Sequence, residues 1–146
     1  LTAEKMRSEV HQVGAWTLIN DAYNASPSSM RASLETTAAL YPGRRIAVLG
    51  DMLELGAAAE KAHQGVGRRA AELGFAMVVT YGKQAQWTHE TAEAAGCPAC
   101  YHAASHADAA AYLRSHLMDG DTVLFKGSRG MRMEQIIAAL TGEGAH

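Results

Sequence analysis

The sequence predicts an α/β domain built on a mostly parallel sheet, and three features predict it. Short, continuous apolar runs (RRIAVLG, AMVVTYG and DTVLFKG) read as strands buried on both faces. Stretches with apolar residues at helical spacing separate them, so strand and helix alternate as βα units. At the start, SEVHQVGAWTLIND carries two strand-like runs around Gly14, a hairpin that adds one antiparallel strand.

Each element has its own local cause. After the hairpin, Ser26-Pro27 supplies an N-cap and then a proline at the first helical position, where a missing N–H costs nothing. Met30, Leu34, Ala38 and Tyr41 recur on one face of that helix, and Pro42-Gly43 ends it. Residues 44–50 form a buried strand through Ile46, Ala47, Val48 and Leu49. The next helix buries Ala62, Val66, Ala70 and Leu73 and stops at Gly74. The strand AMVVTYG precedes a helix expected from about Lys83 to Ala95, and a short strand surrounds Tyr101. Ser105 caps a helix that buries Ala110, Leu113 and Leu117. DTVLFKG follows as a strand, and Met133, Ile136, Ile137 and Leu140 mark the last helix. The result is a Rossmann-like arrangement, a mostly parallel sheet with helices on both faces. One domain over 1–142 is expected, with a fraying tail at 143–146.

The 146 residues suffice for one ordinary core, and the opening on Leu1 suggests a fragment of a longer protein. A net charge of -2 gives no electrostatic reason to expect nucleic acid or an anionic membrane as partner. No apolar run approaches the roughly 20 residues that span a bilayer. The two cysteines, Cys97 and Cys100, form CPAC, with His102 and His106 close behind. Such a set suits a redox pair or half a zinc site. A thioredoxin-like pair belongs where a strand turns into a helix, however, and this one occupies a helix-to-strand loop. The expected reading is a loop with two incidental thiols, no metal, and a reducing, cytoplasmic setting.

Ligands of an open parallel sheet bind beyond the carboxyl ends of its strands. Three loops there are more polar than a turn requires: 21–29 (DAYNASPSS), 50–56 (GDMLELG) and 126–130 (KGSRG). Each directly follows an apolar strand, so all three are expected at one edge of the sheet. In the first, Asp21 can accept from vicinal hydroxyls such as those of a ribose, and Asn24 can both donate and accept. Asp and Asn also favour turns for purely local reasons, and Ser26 caps a helix. In the third, Lys126, Ser128 and Arg129 lie beside backbone N–H groups at a helix start, which suits a phosphate or carboxylate. The alternative is a cationic turn paired with surface acids such as Glu134. In the middle loop, Asp51 and Glu54 suit a cation, an amine or a lysine, or serve as acids at a helix N-terminus. His63 falls inside the following helix, where a histidine is most often structural. There is no GxxxxGK[ST] phosphate loop and no GxGxxG after the first strand, so any triphosphate must be held by another domain.

These three loops, in this order, resemble the C-terminal domain of the MurF family of Mur ligases. DAYNASPSSM is similar to that family's DxYNANPxSM, LGDMLELG to its GDMxELG, and KGSRGMRME to its KGSRxxxME. The likeness runs from about Arg7 to Leu140, with Ser26 standing where the family usually has Asn. Related ligases of the same pathway share the architecture but differ in the first loop.

The resemblance implies a three-domain, ATP-dependent ligase that joins D-alanyl-D-alanine to UDP-N-acetylmuramoyl-tripeptide in peptidoglycan precursor synthesis. Its partners are then the missing N-terminal and central domains, the central one holding the magnesium. It implies nucleotide-binding roles for Arg7, Asp21 and Asn24, and catalytic roles for Asn24, Lys126 and Ser128. Ser26, Ser128 and Arg129 are implied on the acceptor side, with Asp51, Glu54 and His63 as supporting candidates. A monomer is expected, inactive as this fragment alone. Rival readings are a folylpolyglutamate-type ligase domain and a non-catalytic nucleotide-binding module of the same architecture.

Overall fold

The computed structural model describes residues 8–142, so Arg7 and the tail at 143–146 lie outside the described residues. Among the described residues six strands form one sheet: β1 (Glu9–Val13), β2 (Trp16–Asn20), β3 (Arg45–Gly50), β4 (Met77–Tyr81), β5 (Ala99–Ala103) and β6 (Thr122–Lys126). Five α-helices among the described residues connect or follow them: α1 (Pro27–Leu40), α2 (Ala59–Glu72), α3 (Ala85–Ala94), α4 (His106–His116) and α5 (Glu134–Thr141). The strand order is β1-β2-β6-β3-β4-β5. Only β1 runs antiparallel to its neighbour, pairing Val13 with Trp16 across a turn in which Gly14 takes φ +61°.

Period-two geometry explains why β3 and its neighbours are continuously apolar. Successive side chains point to opposite faces, and here both faces are covered. Ala47, Leu49, Val78 and Leu124 pack under Met30 and Leu34 of α1, Val66 and Ala70 of α2, and Ala92 of α3. Ile46, Val48, Met77, Val123 and Phe125 pack on the other face, under Ala109, Ala110 and Leu113 of α4 and Ile136 and Leu140 of α5. The α/β, mostly parallel arrangement with an N-terminal antiparallel strand is therefore borne out. α2 and α3 approach so closely that a Cβ added at Gly67 would lie 2.3 Å from the Thr88 carbonyl oxygen.

Two local expectations change. α3 starts at Ala85 rather than about Lys83, because the Asp51 carboxylate accepts the Ala85 N–H and sets the first turn there. The CPAC segment is not wholly a loop. Cys100 lies within β5, whereas Cys97 precedes it and is buried in the core under α3. An edge strand of intermediate burial has no apolar run to announce it.

Candidate functional site

Because β6 lies between β2 and β3, the loops that follow these three strands are neighbours at the carboxyl edge of the sheet. Glycine permits their close approach. A Cβ on Gly127 would stand 3.0 Å from the Gly50 Cα. Gly82 combines φ +117° with a would-be Cβ only 2.3 Å from an Asp51 carboxylate oxygen.

Lys126 ends β6 and its ammonium is held by the first loop. Its Nζ lies 3.1 Å from Asp21 Oδ2 and donates to the carbonyl oxygens of Asn24 (3.0 Å) and Asp21 (3.4 Å). The two side chains are only 5% and 16% exposed, so each ion depends on the other for most of its compensation. Ser33 on α1 donates its hydroxyl to the same Oδ2. Neither of these contacts, among the described residues, uses Oδ1. Asp21, Asn24, Ser26, Ser33 and Lys126 line a cleft of about 750 Å³ between α1 and the β1–β2 end of the sheet. Ser8 lines it too. The Asn24 side chain is exposed. Ser26 is occupied by α1: its hydroxyl accepts the Ser29 N–H at 3.1 Å, and the Ser29 hydroxyl accepts the Ser26 N–H at 2.9 Å.

The KGSRG loop is built differently from the expected anion cradle. Its three polar side chains diverge: Lys126 turns to Asp21, not to Glu134. Ser128 turns to the middle loop, its N–H donating to the Asp51 carbonyl (2.9 Å) and its hydroxyl accepting the Leu53 N–H (2.8 Å). Arg129 is exposed, with its guanidinium 5.1 Å from the centre of the Tyr23 ring. No long helix starts here either. A single 3₁₀ turn, Arg129–Met131, intervenes before α5, and Ser128's N–H is already taken.

The middle loop is fastened at every step. Asp51 is buried, and its Oδ1 accepts the Ala85 N–H at 2.7 Å, so it caps α3. His63 is fully buried on α2. Its Nε2 accepts the Met52 N–H at 2.9 Å, and its Nδ1 stands 2.7 Å from the Ala59 carbonyl. An amide can only donate, which assigns the ring as neutral with its proton on Nδ1. Glu54 is exposed in the left-handed region at φ +65°, an uncommon conformation for a side chain other than glycine, asparagine or aspartate. Tyr23 and Ser33 were not among the expected site residues. Ser33's only sequence signal is its place on the polar stripe of α1 between the buried Met30 and Leu34.

The CPAC thiols and the following histidines do not gather. The Cys97 thiol donates to the Phe75 carbonyl at 3.4 Å. Burial, and next the neighbouring Cys97, push the Cys100 thiol up to about 12, which disfavours the reactive thiolate. His102 pairs with the Thr80 hydroxyl at 2.7 Å, and burial lowers its pKa. His106 contacts the Met131 carbonyl through Nε2 at 2.9 Å. Among the described residues no three His, Cys, Asp or Glu side chains form a group able to hold a metal ion. No helix of the described residues is long and apolar enough to cross a membrane.

Comparison with known proteins places this geometry. The model of the Mur ligase, glutamate ligase domain matches residues 6–129, a span that includes the first two loops and the third as far as Arg129. The UDP-N-acetylmuramoyl-tripeptide--D-alanyl-D-alanine ligase of Bacillus subtilis (strain 168) is 38% identical over 126 residues, which is 85% of this chain and 28% of that protein. The ligase of the same name from Escherichia coli (strain K12) is 37% identical over 132 residues, covering 87% and 27%. The chain thus spans less than a third of these relatives' length. Among solved structures, MurF from Acinetobacter baumannii superimposes with a TM-score of 0.82 at 31% identity, over 93% of this chain and 30% of that one. MurF ligase from Thermotoga maritima, in complex with ADP, gives 0.81 at 27% identity, over 94% and 30%. By the family match over most of its length, and by relatives 37–38% identical over more than four fifths of it, this chain belongs to the Mur ligase, glutamate ligase domain family.

Proposed function

We propose that this chain is the C-terminal domain of an ATP-dependent amide ligase that joins D-alanyl-D-alanine to UDP-N-acetylmuramoyl-tripeptide during peptidoglycan precursor synthesis. The observation that carries the reading is the convergence of the loops after β2, β3 and β6 around the Asp21–Lys126 pair. It is supported by relatives that carry that activity in their names and by the ADP bound to the Thermotoga maritima protein. A cytoplasmic, monomeric enzyme whose N-terminal and central domains hold the UDP-sugar and the triphosphate fits the same reading.

In such a reaction the peptide carboxylate attacks the γ-phosphorus of ATP, and ADP departs. The amine of the dipeptide then attacks the acyl phosphate carbon, and phosphate leaves with the electron pair of the C–O bond while the amine loses its proton. Within this scheme Asp21 Oδ1 accepts from the ribose hydroxyls, as Lys126 and Ser33 hold the carboxylate by Oδ2. Asn24 faces the nucleotide from the same cleft, and the nucleotide-binding role of Arg7, which lies outside the described residues, is part of the same reading. Lys126 and Ser128 set the loop that meets the reacting centre, and Arg129, lying over Tyr23, offers its guanidinium to the carboxylate of the incoming dipeptide. Ser26 acts on that side as the cap that fixes the first turn of α1. Glu54 stands exposed at the same edge, where it can meet the dipeptide's ammonium group.

The magnesium that accompanies ATP does not fit the donors here. Asp21 is tied to Lys126 and Ser33, Asp51 to Ala85, and no acidic group of three assembles among the described residues. It belongs to the domain that holds the triphosphate.

The test is ADP release by the full-length protein with ATP, the UDP-muramoyl-tripeptide and D-alanyl-D-alanine. Release that needs all three is expected, and none from this chain alone, which has no phosphate loop. A full-length protein that turns over L-glutamate instead, or nothing, would sink the reading.

A further inference from the structure

We infer that His63 is a positioning residue of the ligase: it sets the 51–54 loop, and through it Ser128, without touching substrate. The inference rests on the proposed function for its kinetic consequence, but its structural part stands on hydrogen bonds alone.

Two consecutive N–H groups of the middle loop, those of Met52 and Leu53, donate to side chains from two different elements. Met52 donates to His63 Nε2 on α2, and Leu53 donates to Ser128 Oγ beyond β6. Ser128's own N–H returns to the Asp51 carbonyl. His63 and Ser128 therefore hold the same three-residue stretch from opposite sides, and a shift of Met52 must be felt at Ser128. Met52 is fully buried, so its N–H has no water to turn to if the imidazole is lost.

His63 is itself held rigidly. Its Nδ1 is anchored to Ala59 one turn earlier, its ring lies 6.1 Å from the Trp87 ring, and its carbonyl accepts the Thr88 hydroxyl at 3.0 Å. The imidazole is fully buried and both ring nitrogens are engaged. It is suited to aim a loop. The loop it aims ends in Glu54 at φ +65°, a conformation that persists only where neighbours over-determine it. Leu53, next to it, reaches the Arg129 side: a Cβ added at Gly130 would meet its Cδ1 at 3.1 Å.

The chemistry of the ring supplies its own control. Glutamine can present an oxygen where Nε2 stands, whereas asparagine reaches only as far as Nδ1. His63→Gln therefore keeps the acceptor for Met52, while His63→Asn and His63→Leu lose it. In the full-length ligase, kcat is expected to fall about tenfold or more in His63→Asn and His63→Leu, with KM for ATP within about twofold of normal. His63→Gln should recover most of the rate. Hydrogen exchange of the peptide covering 51–54 should speed up in the Asn and Leu variants and stay slow in the Gln variant. Should the Leu variant unfold, the Asn–Gln pair still decides, since both are polar and differ only in reach. Normal kcat in His63→Asn, or a Gln variant as slow as the Asn variant, overturns the inference. A wild-type protein without ligase activity defeats the proposed function instead. In that case the exchange rates alone judge His63, and equal rates in all variants overturn it.

Discussion

Lys126 and Asp21 face each other across the gap between β6 and the loop after β2, with Nζ 3.1 Å from Oδ2 and both side chains largely withdrawn from water. The pair ties the end of a central strand to the loop that opens the cleft. Lys126 is thus neither a free anion-binding cation nor the surface partner of Glu134. Removing the ammonium leaves a carboxylate with little solvent and one hydroxyl partner. Lys126→Ala is expected to cost about 2–4 kcal/mol in denaturant unfolding, since it strands a mostly buried charge. In the proposed full-length ligase the same variant should lower kcat roughly a hundredfold, with a smaller change in KM for ATP. Lys126→Arg should recover only part, because a planar fork cannot replace a point charge among three oxygens. A normal kcat for Lys126→Ala ends the catalytic assignment of this residue.

The cysteines make a separate prediction, revised by where they lie. Cys97 precedes β5 and is buried under α3, and Cys100 sits in β5, so the expected pair of incidental loop thiols holds only in part. Cys97→Ser should cost about 1–2 kcal/mol, as an added hydroxyl replaces an apolar contact in the core. Cys100→Ser should cost less than about 1 kcal/mol. With Cys100 pushed up to about 12, alkylation by iodoacetamide at pH 8 should be slow in the folded protein and rapid once it is unfolded. Equal rates in both states would show that the thiol is not withdrawn.

Much of the fold was legible because its signals are local and periodic. Ile46 to Leu49 announce a strand covered on both faces, and Ser26-Pro27 announces the start of α1. The three polar loops were legible because each follows such a run. Strand order was not: nothing local says that β6 inserts between β2 and β3, and the contacts that depend on it were hidden with it. Asp21 and Lys126 are 105 residues apart, and Leu53 and Ser128 are 75 apart. Asp51, which suits a cation, an amine, a lysine or a helix N-terminus by its sequence, caps α3 because the β3 and β4 loops are adjacent. Side-chain bonds to distant backbone groups have no period, so no pattern along the chain reveals them.

The pH dependence of stability should carry the mark of His102. Burial chiefly, and His89 beside it, lower its pKa in the folded state, with Asp51 and Glu90 opposing. Its Nδ1 is bonded to Thr80, and the His89 ring lies 5.9 Å away. A base whose folded pKa is depressed binds fewer protons folded than unfolded, so stability rises with pH in that range. The contribution is complete above the unfolded value of about 6.5 and is lost as pH falls below it towards the folded value. Tm measured from pH 7.5 down to 5 should therefore drop more steeply for the wild type than for His102→Gln. Parallel profiles would show that another group governs the acid limb.

Asp21 offers the sharpest test of which ligand the cleft holds. Its Oδ2 is spent on Lys126 and Ser33, and Oδ1 takes neither contact. If Oδ1 accepts from ribose hydroxyls, Asp21→Asn weakens charge-assisted bonds worth about 1.5–3 kcal/mol, and KM for ATP should rise roughly ten- to a hundredfold. Ser33→Ala removes one hydroxyl from the far oxygen and frees the carboxylate to turn. It should raise KM for ATP by about fivefold, in keeping with one ordinary hydrogen bond of about 1 kcal/mol. KM for D-alanyl-D-alanine should stay near normal in both, because the acceptor side is proposed to lie at Arg129, over the Tyr23 ring. Stability separates this pattern from general damage. Ser33→Ala leaves the ion pair intact, so its melting temperature should hardly move while KM for ATP does. If instead both variants keep a normal KM for ATP and raise that for the dipeptide, the cleft beside α1 is the acceptor site, and the nucleotide lies elsewhere.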